Sequence, residues 1–197
     1  CNMAEILVIF IPTILGKGSP LQAIQLLWLN LVTDGAPALA LGTEKGDPDI
    51  MQQKPRPHDE PIINKQMQIG VVVQAIFITA ATLGAYFIGL SYTEAYAQTM
   101  AFIPLSVSEL LRAFTARSEY YPVLKIGVFG NKYMNYAVGA SLVLILLVLY
   151  VPFLNTIFKT VPLGGSEWIR IFPLILVPSV AAEITKMFVK KMAQTKQ

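Results

Sequence analysis

Long apolar runs alternate with short polar islands along this chain, and most runs are roughly 20 residues, the helix length that crosses a hydrocarbon layer about 30 Å thick. The pattern predicts an all-α fold, a polytopic transmembrane helical bundle of about six spans. The first span, about 1–15, is incomplete, and Gly16-Lys17-Gly18-Ser19-Pro20 closes it with a tight turn. The second, 21–41, leads into the longest polar connection, 42–66, which holds Pro48, Pro55, Pro57 and Pro61. The third and fourth, 67–90 and 95–116, are joined through Ser91-Tyr92-Thr93-Glu94 and form a hairpin. A second polar loop, 117–131, precedes the fifth span, 133–154, and residues 155–166 connect it to the sixth, 168–189.

Composition agrees with lipid as the solvent. Hydrophobic residues make up 54% of the chain and charged residues 14%, against roughly a quarter charged in an ordinary soluble domain. The formal charge of +3 does not point to nucleic acid, because no basic stripe is interleaved with surface aromatics. It is explained by topology: only Lys17, Lys159 and Arg170 of the fifteen Lys and Arg residues fall on one side, which places loop 42–66 and the carboxy terminus in the cytoplasm. Tyr92, Tyr96, Tyr133, Tyr150 and Trp168 lie near helix ends, as headgroup-level anchors do. The one cysteine, Cys1, excludes an internal disulfide or a cysteine-built metal site, and His58 reads as a surface residue. With no initiator Met and an apolar run beginning at Ile6, the chain reads as one piece of a longer polypeptide.

Three carboxylates sit inside the predicted spans: Glu5, Asp34 and Glu109. An ionisable group at membrane depth costs a few kcal/mol or more, so it faces the bundle interior and marks an ion or substrate path. Asn2 precedes Glu5 by three residues, and Asn30 and Thr33 precede Asp34 by four and one, so each acid has oxygen-bearing company along its helix. Ser106 stands three before Glu109, although its hydroxyl could bond back into its own helix. Carboxylate, amide and hydroxyl oxygens without thiolate or imidazole suit a hard cation, and a dry multi-helix cage favours calcium over magnesium; sodium stays open on chemistry alone. Asp34-Gly35-Ala36-Pro37 predicts that the second span is unwound or kinked there, as interrupted transporter helices are. The competing reading, polar groups that only glue helices together, suits Asn2 or Thr33 alone better than three buried acids and a broken helix. Arg112, one turn beyond Glu109, either neutralises that acid or snorkels to the interface, and Glu183 with Lys186 reads as a local ion pair.

The run Leu26-Leu27-Trp28-Leu29-Asn30-Leu31-Val32-Thr33-Asp34-Gly35, with Pro37 and Ala40-Leu41-Gly42, closely resembles the sixth transmembrane helix of sarcoplasmic and endoplasmic reticulum-type calcium ATPases of the P-type class. Asp47-Pro48-Asp49-Ile50-Met51 through Glu60-Pro61-Ile62-Ile63 is similar to the loop after it, and the resemblance covers 1–197 as one carboxy-terminal transmembrane domain, helices five to ten. It implies that Asn2, Glu5, Thr33, Asp34 and Glu109 ligate one calcium ion. Asn30 and Asp34 would ligate a second, with help from a fourth helix outside this chain. It also implies ATP and magnesium bound by parts outside this chain, so that no catalytic residue lies here. The partners implied are a lipid bilayer and the rest of the same pump, with loop 42–66 docking on its phosphorylation domain. Two departures stand out. Arg112 places a cation beside the eighth-helix acid, and the connection at Ser91–Ala95 is shorter than in animal reticulum pumps, which points to a bacterial plasma-membrane relative. Transport of manganese or sodium, and a gradient-driven exchanger, are the alternatives.

Overall fold

The computed structural model describes residues 2–52, 61 and 63–194. The readings for Cys1, Pro55, Pro57 and His58 lie outside them. Helix α1 (Asn2–Ile14) ends in a turn where Gly16 and Gly18 take φ of 66° and 81°, a left-handed conformation open to glycine at little cost. The turn is tied down from a distant helix, since the Tyr86 hydroxyl donates to the Lys17 carbonyl at 2.7 Å.

The second span is continuous in direction but not in winding. Helix α2 (Ala23–Trp28) passes into a π-helical stretch, Leu29–Asp34, and then into α3 (Gly35–Leu41). The interruption expected near Asp34–Pro37 therefore takes the form of a wider turn beginning five residues before Asp34, a device frequent at functional sites. Pro37 favours it because a proline supplies no N–H to the preceding turn.

Helices α4 (Lys65–Gly89) and α5 (Glu94–Thr115) form the expected hairpin, with Asn64 and Thr93 side chains capping their first turns. Their backbones nearly touch: a Cβ on Gly89 would stand 2.5 Å from the Ala97 Cα. Small residues at such a crossing are what membrane helices use where lipid offers no hydrophobic drive for association. A short helix, α6 (Val123–Ile126), lies in the following loop, and α7 (Lys132–Tyr150) is capped by Asn131. The fifth span was expected to continue to residue 154. Instead Val151 is extended, because the residue before a proline is pushed out of the helical region, and Pro152 opens a separate helix, α8 (Pro152–Phe158). The last helix, α9 (Gly165–Gln194), carries Pro173 and Pro178.

Helix α5 is the axis of the bundle, packed against α4, α9, α7 and the π-helical stretch. Met100, Phe102, Ile103 and Leu105 are wholly buried in it. Outward faces are the reverse of a soluble protein: Phe10, Leu39, Val143, Ile169, Phe172 and Phe188 are exposed. Among the described residues, four stretches are long and apolar enough to cross a bilayer: Ala23–Leu41, Met67–Gly89, Lys132–Tyr150 and Gly165–Phe188. The chain is an integral membrane protein. Helix α1 is apolar but only 13 residues long, and α5 carries Glu94, Glu109 and Arg112.

Candidate cation site

The π-helical stretch, α1 and α5 converge on one point. An oxygen from each of Glu5, Asp34 and Glu109 lies within 4.8 Å of the other two. Glu5 and Glu109 are buried and Asp34 is half-buried. At that spacing two full negative charges would repel by roughly 3–4 kcal/mol at an effective dielectric constant of about 20, a repulsion that a bound cation relieves. Oxygens on opposite sides of a calcium ion stand up to about 5 Å apart, at Ca–O distances of about 2.3–2.6 Å, so this spacing is compatible with one shared ion.

The neighbouring oxygen groups divide into two sets. The Asn30 amide donates to Glu5 Oε2 at 3.1 Å and to the Leu26 carbonyl at 2.9 Å, leaving its own oxygen as a candidate ligand. The Thr33 hydroxyl donates to the Leu29 carbonyl at 2.6 Å, with Glu109 Oε2 at 3.5 Å. Asn2 is placed differently. It is exposed and its side chain makes no hydrogen bond among the described residues, one turn away from Glu5. Ser106 donates to Phe102 in its own helix at 2.6 Å, the satisfied alternative raised for it above.

A cavity of about 240 Å³ opens beside the carboxylates, lined by Thr33, Asp34, Pro37, Glu109 and Arg112 and running towards Leu41 and Ala116. Among the described residues Arg112 forms no ion pair within 4 Å of either acid, and its Nε is buried without a hydrogen-bond partner. The guanidinium also borders a second cavity of about 310 Å³, between α4, α5 and α9, with Gln74 and Lys186. Glu183 and Lys186 form the anticipated pair at 2.8 Å, and both also bind the 117–131 loop, through the Val123 N–H and the Tyr121 carbonyl.

Sequence reasoning missed the polar fastening at the far end of α3. Arg117 donates from Nε and Nη2 to the two oxygens of Glu44 at 2.7 and 2.9 Å, and from Nη1 to the Gly127 and Val128 carbonyls. Asn131 adds a bond to Glu44 at 2.9 Å and one to the Ala40 carbonyl at 3.1 Å. Hydrogen bonding from Arg117 holds the Glu44 carboxyl below its usual range. In the loop after α3, Asp49 accepts from the Tyr121 phenol and holds that group above its usual range. The only signal was a Glu and an Arg just past the ends of two spans, which loop charges supply in plenty.

Residues 18–188 match the family described as "Cation transporting ATPase, C-terminus". The chain is 33% identical to "Calcium-transporting ATPase 1" of Bacillus cereus over 95% of its own length, and 38% identical to "Calcium-transporting ATPase" of Bacillus subtilis over 90%. It is also 31% identical over 94% of its length to "Calcium-transporting ATPase type 2C member 1" of Pongo abelii. It spans 23%, 20% and 20% of those three proteins.

Proposed function

The chain belongs to the family of carboxy-terminal regions of cation-transporting ATPases, and on that premise we propose that it is the carboxy-terminal membrane part of an ATP-driven calcium pump. Calcium is the transported substrate. The observation that carries the reading is the convergence of Glu5, Asp34 and Glu109, from three separate stretches of chain, to within 4.8 Å. Asp34 ends the π-helical stretch, Thr33 and Asn30 lie on it, and Asn2 completes the donor set when α1 turns or shifts by part of a helical turn. Wider winding frees backbone and lets the stretch move without breaking the span, as interrupted helices do in transporters. ATP and magnesium act in other parts of the same polypeptide, and the loop from Gly42 faces those parts on the cytoplasmic side. A bacterial plasma membrane is the proposed setting.

The test is calcium-45 uptake into vesicles containing the full-length protein, unaltered and as Asp34→Asn. Loss of one of three charges from the ligand set raises the half-saturating calcium concentration by about tenfold or more, equivalent to about 1.4 kcal/mol. Uptake that proceeds without ATP would favour an exchanger, preference for manganese or sodium would change the substrate, and an Asp34→Asn protein indistinguishable from the unaltered one would remove the site. Calcium titration of the unaltered pump counts the ions bound.

A further inference from the structure

The π-helical stretch runs into a proline where its winding calls for a donor. In π winding each N–H donates to the carbonyl five residues back. The residue five on from Val32 is Pro37, which has no N–H to give. A half-buried carbonyl that loses a backbone donor to proline is stabilised by a side-chain donor. The donor comes from α7: the Ser141 hydroxyl, 2% exposed, donates to the Val32 carbonyl at 2.8 Å.

The same helix grips the cytoplasmic half of the broken span a second time. Asn131, the residue that caps α7, donates to the Ala40 carbonyl at 3.1 Å, and Met134, wholly buried, packs on Ala40 and on Ala113 of α5. From Asn131 to Ser141 is ten residues, about 15 Å of helix, and from Ala40 back to Val32 is eight, about 12 Å. The two bonds thus run between antiparallel segments of similar length, one at each end of the Pro37 region. Val32 directly precedes Thr33 and Asp34, so the carbonyl that Ser141 holds sets the direction in which those two side chains leave the backbone.

We propose that Ser141 is a positioning residue of the pump: it touches no ion, and it holds the wide turn in the shape that aims Thr33 and Asp34 at Glu109. Helix α7, which carries no candidate ligand, is on this account the strut against which the ion-binding span is braced. The inference rests on the calcium-pump reading for its transport readout, but not for its backbone readout.

The experiment uses the full-length protein with Ser141→Ala and Ser141→Thr. Ser141→Ala is expected to raise the half-saturating calcium concentration for uptake about five- to tenfold while the maximal rate stays within about twofold. Ser141→Thr, which keeps the hydroxyl, should stay within about twofold on both. Hydrogen exchange should quicken in Ser141→Ala at residues 33–36 and stay unchanged across the α4–α5 hairpin. If half-saturation is unmoved in Ser141→Ala, if both variants lose the same amount, or if exchange rises throughout, the proposal is overturned. Absence of calcium uptake by the unaltered protein would sink the pump reading, and the exchange pattern at 33–36 would then decide this proposal by itself.

Discussion

Breaking the fastening between Glu44 and Arg117 is the most quantitative test of how the end of α3 is held. Arg117 makes four hydrogen bonds, and the two side chains are 1% and 12% exposed, so the pair is largely out of water. Removing one partner of a buried pair strands the other and costs about 3–5 kcal/mol. Glu44 keeps some contact with solvent and the Asn131 amide, which points to the lower end, about 3 kcal/mol, for Arg117→Met. Glu44→Gln should cost less, about 1–2 kcal/mol, since Arg117 retains the Gly127 and Val128 carbonyls and the new amide can still accept. The double variant should fall short of the sum by about 1–2 kcal/mol, because its parts share one contact. Denaturant unfolding in detergent, followed by fluorescence of Trp28 and Trp168, reads all three. Additivity within about 0.5 kcal/mol would show that the pair contributes no coupling and refute the reasoning.

Two further outcomes follow from the same geometry. Glu44 is held below its usual value in the folded protein, so its contribution is fully present above the unfolded value, near 4.5, and is lost as pH falls through the lower folded value; unfolding midpoints of the unaltered protein and Glu44→Gln should therefore converge on acidification below about pH 4, and a constant gap would contradict this. Gly89→Ala should destabilise by about 1–3 kcal/mol, because the new Cβ meets Ala97 backbone rather than a flexible side chain, and a variant that unfolds at the unaltered denaturant concentration would show that α4 and α5 can separate freely.

The helices were legible because a bilayer imposes a length and a polarity that ordinary sequence noise does not imitate, and the hairpin turn at Ser91–Glu94 was legible because so short a link leaves little choice. The end of the fifth span was read too late. Phe153 and Leu154 continue the apolar run, and apolarity outvoted Pro152, although the backbone restriction at Val151 was decisive. Asp34 and its neighbours stood out because charge and amide groups are conspicuous in an apolar stretch. The convergence of Glu109 on them, 75 residues away in sequence, could be expected from the cost of burying charge but not located. Ser141 was invisible for the opposite reason. A serine in a membrane helix is ordinary, and its partner is a backbone carbonyl, which has no letter in the sequence; only the combination of Pro37 with a wide turn gives that bond a reason.

Helix α5 shows why counting apolar residues ranks spans by exposure to lipid rather than by membership in the bundle. It does not meet the standard of apolarity that α4, α7 and α9 meet, yet nearly every residue from Ala97 to Leu110 is buried. The two facts have one cause. A helix enclosed by α4, α7, α9 and the π-helical stretch presents almost no surface to lipid, so lipid does not select its residues, and Gln98, Thr99, Ser106, Ser108 and Glu109 can be carried inside at the cost of finding partners there. Thr99 bonds the Ala95 carbonyl and accepts from the Val161 N–H, and Ser108 bonds the Ile175 carbonyl across to α9. In a bundle of this kind the helix most permissive of polar chemistry is the one at the axis, and an acid placed there needs only a kinked neighbour to bring others within reach. Asp34 at the end of the wide turn supplies that neighbour, and Glu5 on α1 closes the group from the third side.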